Sequence, residues 1–574
     1  MDKKAVIKTL ETIAVYMEIA GENPFKTSAY RKAAQVLERE ERTLEEIEKP
    51  EDLTGIGKGT AGVITELKET GETAVLNDLK ERVPAGLPSL LQLPSLGGKK
   101  INKLYKELGI TDVDALKQAC EQEQVQALAG FGKKSEEKIL AALEEVGKRP
   151  DRLPVAFMLD VAEQVEEELR SFTGITRFER AGSLRRVKET IRDADYVIST
   201  TQPDDVREQL KSLRDTYEVI ADGDTKVSLT LEKEYRVNVD FRLVNDEEFA
   251  TALHHFTGSK DHHLLMRKRA KDLGQKINEY GVEDLNEEKL HQFETEEQFF
   301  HHFDLHYIPP EAREGTIELD WFKEDRPLIE KRDIVSDLHM HTVWSDGANS
   351  IKEMALAARD QGYSYIVITD HSKYLQVANG LTEERLLRQI EEIKAVNEEV
   401  EGIHIFAGTE MDIKPDGTLD FDDEILSQLD FVIASIHSSF QQSQETLHER
   451  LDSALKNPYV HLIAHPTGRI IGQRPGYDVD VDWLIERASE TNTALELNAN
   501  PNRLDLTADS LRKARDKGVR VAVNTDAHRK EMLNHMSVGV STCKKAFLTR
   551  EDVINTYSLE QFKQYIGEKR RRFQ

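Results

Sequence analysis

Residues 336–347 read SDLHMHTVWSDG. In DLHMHT, His339 and His341 alternate with Leu338 and Met340, which is the period of a strand, so the two imidazoles share one face and the apolar pair the other. Paired nitrogen donors suit Zn²⁺, Mn²⁺ or Fe²⁺ better than Mg²⁺. Working outward, successive apolar runs each end in residues of the same chemistry: YIVITDH at His371, IHIFAGTE at Glu410, FVIASIH at His437, VHLIAHP at His465 and VAVNTDAH at Asp526 and His528. With ALELNAN, which ends near Glu496 and Asn498, and helical stretches such as 382–399 between the runs, seven strands in βα repeats predict a barrel. Residues at the carboxyl ends of barrel strands form the active face. The candidate ligands are His339, His341, Asp346, His371, Glu410, His437, His465, Asp526 and His528, more than one ion needs, so two or three ions are expected. Lewis-acidic ions that activate water suit attack on phosphorus, and phosphoester hydrolysis is the expected chemistry.

The barrel pattern starts near Asp333, and a chain of 574 residues is too long for one core, so further domains precede it. With 78 basic and 106 acidic residues the net charge is -28, which excludes bulk attraction to nucleic acid and makes any such site local. Cys120 and Cys543 stand far apart, which excludes a disulfide framework and a thiolate zinc site and fits a reducing cytosol. No run approaches the roughly 20 apolar residues that span a membrane, so the protein is expected to be neither exported nor embedded.

Between about Pro154 and Arg313, strand-like segments appear among helices. In AGSLRRVKETIRDADYVIS, Asp193 and Asp195 are two residues apart as a strand begins, so both carboxylates point to one face. In RVNVDFRLV, Val237, Val239, Phe241 and Leu243 form an apolar face and leave Asp240 on the other as a third carboxylate. Three carboxylates on adjacent strands can hold two Mg²⁺ ions for phosphoryl transfer. Upstream, Gly182 and Ser183 allow close backbone approach, and Arg185 and Arg186 offer forked donors suited to phosphate.

From Lys3 to about Arg149 the pattern is helical and contains LTGIGKGTA (53–61), LPSLGGKKI (93–101) and LAGFGKKSEEKI (128–139). Each places glycines before a helix start, where backbone N–H groups can bind a DNA phosphate without reading a base. Gly55, Gly57, Lys58, Gly97, Lys99, Lys100, Gly130, Gly132, Lys133 and Lys134 are the candidate contacts. One such turn is an ordinary helix connection, but three copies point to DNA.

These turns resemble the helix-hairpin-helix motif. The Gly-Ser-x-Arg-Arg segment, the D-x-D pair, the distant Asp240 and HFTGSKDHHLLMRKRA (255–270) resemble the nucleotidyltransferase palm and thumb of family X DNA polymerases. The resemblance implies that Asp193, Asp195 and Asp240 hold Mg²⁺ or Mn²⁺ and that Gly182, Ser183 and Arg186 contact the triphosphate. Phe256 and Gly258 would border the sugar, His255 would stand where the animal repair enzymes carry a sugar-gating tyrosine, and Arg267 would face the template. NPFKTSAYRKAA resembles the small 5′-phosphate-binding domain, with Lys26 and Tyr30 in matching places. The Schiff-base lysine of that domain is Val63 here and a supporting lysine is Gly59, so lyase chemistry is not expected.

With H-x-H, T-D-H, S-I-H, A-H-P and T-D-A-H all present, the C-terminal part resembles the PHP (polymerase and histidinol phosphatase) family. That resemblance implies two or three Mn²⁺, Zn²⁺ or Fe²⁺ ions: one on His339, His341, Glu410 and Asp526, another on Asp346, His371, His465 and His528, and a third near His437 bridged by Glu410. The expected architecture is multidomain. An all-α helix-hairpin-helix region occupies 1–85 and 86–150, an α+β palm 151–245, a thumb-like domain 246–315, a linker 316–332 and a distorted seven-stranded (β/α) barrel 333–574. The expected function is gap-filling DNA synthesis on gapped or primer-template DNA with deoxynucleoside triphosphates, joined to a 3′-5′ exonuclease and abasic-site cleavage, in a cytoplasmic, DNA-associated monomer. The alternative is a template-independent nucleotidyltransferase fused to a small-molecule phosphoesterase, against which the three DNA-backbone turns stand. The terminal EKRRRFQ (568–574) reads as a solvated end.

Overall fold

The computed structural model describes residues 3–572 apart from 41, 43, 45, 46, 48, 94, 95 and 146–149; Pro94 and Ser95 of the second glycine turn and the last two residues of the basic tail lie outside them. The chain divides into two units, Met1–Pro150 and Asp151–Gln574.

In the first unit the described residues form seven α-helices and no strand: α1 (Lys3–Ala20), α2 (Pro24–Arg39), α3 (Lys58–Thr70), α4 (Ala74–Arg82), α5 (Gly98–Leu108), α6 (Val113–Glu121) and α7 (Lys133–Glu145). Apolar residues three or four apart put one stripe of each helix inside. Val6, Leu10, Ile13, Leu37, Ile64 and Leu67 close one core, and Leu87, Leu90, Ile101, Leu104, Leu116 and Val125 a second.

The second unit opens with a five-stranded sheet, β1 (Ile175–Ala181), β2 (Ala194–Thr200), β3 (Thr216–Gly223), β4 (Lys226–Leu231) and β5 (Val237–Val244), in the order β1-β2-β5-β4-β3. Strands β2 and β5 are parallel and the other pairings antiparallel. The alternation in the sequence sets its two faces. Tyr196, Ile198, Val237, Val239, Phe241 and Leu243 are buried beneath helix Val155–Leu169, while Val197 meets helix Phe249–Thr257 on the other face. A small antiparallel sheet follows, β6 (Gln275–Ile277), β7 (Val282–Asp284) and β8 (Lys289–His291), beside a core of Phe299, Phe300 and Phe303.

Seven parallel strands in sequential order then form a nearly closed barrel: β9 (Ser336–Asp337), β10 (Tyr365–Ile368), β11 (His404–Asp412), β12 (Phe431–Ser435), β13 (Val460–Ile463), β14 (Ala494–Asn498) and β15 (Val521–Asn524). A Met340–Ala527 bridge and the His341 N–H to Ala527 carbonyl bond (2.8 Å) join the last strand's end to the first. Period two again decides sidedness. Ile366 and Ile368 pack outward against helices, whereas Tyr365, Val367, Phe431 and Leu462 meet Phe562, Tyr565 and Ile566 of the C-terminal helix Leu559–Arg572.

Two expectations need correction. The 316–332 stretch connects its neighbours as a packed segment, because Glu318 and Ile329 are fully buried, Trp321 meets Phe547 at 5.5 Å and the Ile329 N–H donates to the Leu548 carbonyl. The described part of the basic tail is not a solvated end either. It finishes the C-terminal helix, where Lys569 is fully buried and its ammonium meets Thr493 Oγ1 and the Leu455 carbonyl.

Candidate functional site

At the carboxyl ends of the barrel strands, all nine candidate ligands face one basin. His339 Nε2 and His341 Nε2 stand 3.2 Å apart, and each lies 3.2–3.4 Å from Glu410 Oε2 and Asp526 Oδ1. Ligands at ~2.0–2.1 Å around a tetrahedral ion are separated by about 3.3–3.4 Å, so His339, His341 and Asp526 are spaced as such an ion requires, with Glu410 Oε2 at the same range from both rings. Asp346 Oδ2 faces His528 Nε2 at 3.4 Å and His371 Nε2 at 3.7 Å, with His341 beside them. The other Glu410 oxygen faces His465 Nε2 at 2.8 Å and His437 Nε2 at 3.3 Å. Thus His465 sits with Glu410 and His437, not with Asp346 and His528 as the resemblance implied. The turn after β13, with His465 at φ +28°, delivers its ring to the β11–β12 side of the basin.

Residues absent from the candidate set orient these rings. His339 Nδ1 donates to Glu496 Oε1 (2.7 Å), His437 Nδ1 to Asp412 (3.2 Å) and His528 Nδ1 to the Asp526 carbonyl (2.9 Å), which turns each Nε2 toward the basin. Glu496 ends a strand run and Asp412 lies two residues past Glu410, so both fit the strand-end pattern of the candidate ligands. His341 Nδ1 and His465 Nδ1 are buried without a hydrogen-bond partner, and His371 Nδ1 lies 3.0 Å from Glu410 Oε2, which fits rings made to take an ion. Burial disfavours both charged forms. Even so, Glu496, Asp526 and Glu410 push His339 well above its ordinary value, and His339, His437 and His371 hold Glu410 well below its own. The basin keeps its carboxylates ionised and attracts cations.

In the first sheet, Asp195 and Asp240 are register partners across the parallel β2–β5 pair, and Asp193 immediately precedes β2. Asp193 Oδ1 accepts from Asn238 Nδ2 at 3.4 Å, and Lys226 Nζ lies 2.6 Å from Asp240 Oδ2. Burial first, then Asp240 and Asp193, push Asp195 up to about 7. Gly182 lies directly against Asp195 at φ +59°; a Cβ there would overlap Asp195 Oδ2 and stand 3.0 Å from Cγ. Ser183 is half-buried on the same short turn. Arg186 reaches the Thr257 carbonyl and Glu314 Oε1 (3.2 Å), and a Cβ at Gly258 would meet its guanidinium at 3.0 Å. Arg185, offered as a phosphate donor, is committed elsewhere: it bonds Thr257 Oγ1 (2.9 Å) and the buried Glu296 (2.7 Å). His255 is half-buried between Phe256 and His263, Arg242 covers the Phe256 ring at 4.7 Å, and Arg267 is exposed. Nothing in the sequence marked Lys226 or Glu314, whose roles depend on partners brought by other elements.

In the helical unit, Gly57 and Gly97 cap α3 and α5 without a side-chain cap, and Gly132 precedes α7. A Cβ at Gly57, Gly97 or Gly132 would meet nothing within 4 Å, so these helix starts present open backbone, with Lys58, Lys99, Lys100, Lys133 and Lys134 at or just after them. Gly55 and Gly130 adopt φ +110° and +91°, which only glycine takes readily. Lys26 and Tyr30 line a cavity of about 640 Å³ with Gly59 and Val63, and no lysine enters it from the two latter positions.

Residues 1–73 match the helix-hairpin-helix domain, 87–145 the SAM-like helix-hairpin-helix tandem, 252–314 the DNA polymerase beta thumb and 337–525 the PHP domain. The chain is 55% identical over 566 residues to the DNA polymerase/3′-5′ exonuclease PolX of Bacillus subtilis (strain 168), covering 99% of each. It is 32% identical over 251 residues to probable phosphatases of Caldanaerobacter subterraneus subsp. tengcongensis and Thermoanaerobacter sp. (strain X514), over 42% of this chain and 93% and 97% of theirs. Among the described residues no helix is long and apolar enough to cross a membrane. By its full-length relative and its thumb, helix-hairpin-helix and PHP regions, the chain belongs to the family X DNA polymerases that carry a C-terminal PHP domain.

Proposed function

We propose that the protein is a DNA polymerase that fills short gaps and a 3′-5′ exonuclease that trims the same kind of end, with one metal site for each reaction. The observation that carries this reading is the coexistence of two ligand sets of different hardness: three carboxylates in the sheet, and a histidine-rich basin in the barrel. Oxygen-only sets favour Mg²⁺ or Mn²⁺, and imidazole sets Zn²⁺, Mn²⁺ or Fe²⁺.

Asp193, Asp195 and Asp240 would hold Mg²⁺ or Mn²⁺, which when bound supplies Lewis acidity toward the primer 3′ hydroxyl and the triphosphate. Gly182 and Ser183 admit the triphosphate to the backbone, and Arg186 meets its charge once it exchanges Glu314 for phosphate. His255, Phe256 and Gly258 border the sugar, and Arg267 the template. The primer hydroxyl displaces pyrophosphate without a covalent enzyme intermediate.

In the barrel, His339, His341, Glu410 and Asp526 would hold one ion, Asp346, His371 and His528 a second, and Glu410, His437 and His465 a third. When bound, these ions supply an activated water and charge stabilisation for phosphodiester hydrolysis. Glu496 and Asp412 fix the ring tautomers. The exposed helix starts and their lysines hold the DNA backbone without regard to sequence, and Lys26 and Tyr30 take a 5′ phosphate. Since Val63 and Gly59 bar lyase chemistry, abasic-site cleavage falls to the barrel. The domains follow as 1–85 and 86–150 for DNA binding, 151–245 palm, 246–315 thumb, 316–332 connection and 333–574 nuclease, in a monomer acting on DNA in the cytoplasm.

The test is a gapped DNA labelled at the primer 5′ end, incubated with Mg²⁺ or Mn²⁺ with and without deoxynucleotides. Extension should vanish only in Asp193→Ala/Asp195→Ala and shortening only in His339→Ala/His341→Ala. Neither activity in the unaltered protein would reject DNA as the substrate.

A further inference from the structure

Of Asp193, Asp195 and Asp240, only Asp240 has a cation at hydrogen-bond range among the described residues. Lys226 Nζ lies 2.6 Å from its Oδ2, with both side chains about one-third exposed, whereas Arg192 stays 3.9 Å from Asp193 and is 65% exposed. The backbone puts Lys226 there. It starts β4 opposite Arg242 of β5, and Ser228 lies opposite Asp240, so Lys226, Ser228, Asp240 and Arg242 share one face of the sheet. Of the other cations on that face, Arg242 is engaged by the Phe256 ring and Arg177 by Asp246 at 2.7 Å. Three carboxylates gathered on one site repel one another, so a cation is favoured beside them.

We propose that Lys226 is a stand-in cation for the ion that Asp240 helps to hold: it occupies the place beside this carboxylate, and an arriving metal must compete with it. The inference rests on the reading of the palm as the polymerase metal site. An ammonium on a flexible four-carbon stem suits the task, because it carries one charge and can swing away, while a divalent ion bound by several carboxylates outcompetes it. Lys226 is then a positioning residue that sets how tightly the empty palm takes up metal.

Mn²⁺ binding to the full chain, read at about pH 8.5 from the electron paramagnetic resonance of free Mn²⁺, tests this. The parent carries His339→Ala, His371→Ala and His437→Ala, one change in each group of barrel ligands, to silence the barrel, and the palm component is the one that Asp195→Asn removes. Removing a unit charge a few ångströms from a divalent ion should tighten that component at least about tenfold in Lys226→Met, whereas Lys226→Arg should stay within about threefold of the parent. Lys226→Gln, which keeps a polar head, should tighten it as Lys226→Met does and serves if the methionine variant does not fold. The Mg²⁺ concentration for half-maximal primer extension should fall in the same order. Palm affinity unchanged or weakened in the folded methionine or glutamine variant would overturn the stand-in role alone. If no component is lost in Asp195→Asn, the reading of the palm as a metal site fails instead.

Discussion

Gly182→Ala separates the two reactions by a single methyl group. The added Cβ would overlap Asp195 Oδ2 and lie 3.0 and 3.2 Å from its Cγ and Cβ. Restoring an ordinary contact of roughly 3.5 Å displaces the carboxylate by about 1 Å. Asp195 cannot yield toward β1 or β5, because its backbone is paired with both Ala181 and Asp240. A misplacement of about 1 Å at a reacting centre costs on the order of 10²-fold in rate. At φ +59° the alanine also meets left-handed strain of about 1–2 kcal/mol, a modest loss for a folded domain. We therefore expect kcat for primer extension to fall about 100-fold while 3′ shortening stays within about twofold and Tm drops by only a few degrees. Single-turnover extension and shortening of the same 5′-labelled gapped DNA measure both. Extension within about threefold of the unaltered protein would refute the placement of Gly182 against a metal-holding Asp195.

Glu410 touches all three groups of barrel ligands, so Glu410→Gln should lose more metal than His437→Ala in elemental analysis; equal losses would mean that Glu410 does not bridge. Its shortening activity should fall by at least about 10²-fold, with extension intact. Burial would raise the pKa of Glu296, but Arg313 and Arg185 outweigh it and hold this carboxyl at about 2. A depressed folded-state value contributes stability that is present above the ordinary value near 4.5 and lost as pH falls toward 2. Glu296→Gln should therefore destabilise the second unit by about 3–5 kcal/mol in urea at neutral pH and flatten its acid dependence. Lys58→Ala, Lys99→Ala and Lys133→Ala should each weaken binding to DNA of any sequence and lower the log-log salt slope by about 1, measured by fluorescence anisotropy; base-dependent losses would count against backbone recognition.

What the sequence by itself determined is whatever depends on neighbours along the chain. Strand and helix periods laid out the seven-stranded barrel and the palm faces, because a residue's side in a strand follows from its parity. Candidate ligands were legible because barrel geometry brings strand ends together, so His339, His371, Glu410, His437, His465 and Asp526, last residues of apolar runs, converge on one basin. Which of them meet was decided by tertiary structure alone. His465 joins Glu410 and His437 because the turn after β13 points its ring that way, and Glu496 reaches His339 across 157 residues. The same limit explains Arg185, which reads as a phosphate donor until the fold brings Glu296 to it, and the basic tail, whose Lys569 is buried among residues of the barrel. Charged side chains carry no local signal of their partners: a lysine, arginine or glutamate is solvated, paired or poised for a ligand according to what the rest of the chain sets within about 4 Å of it.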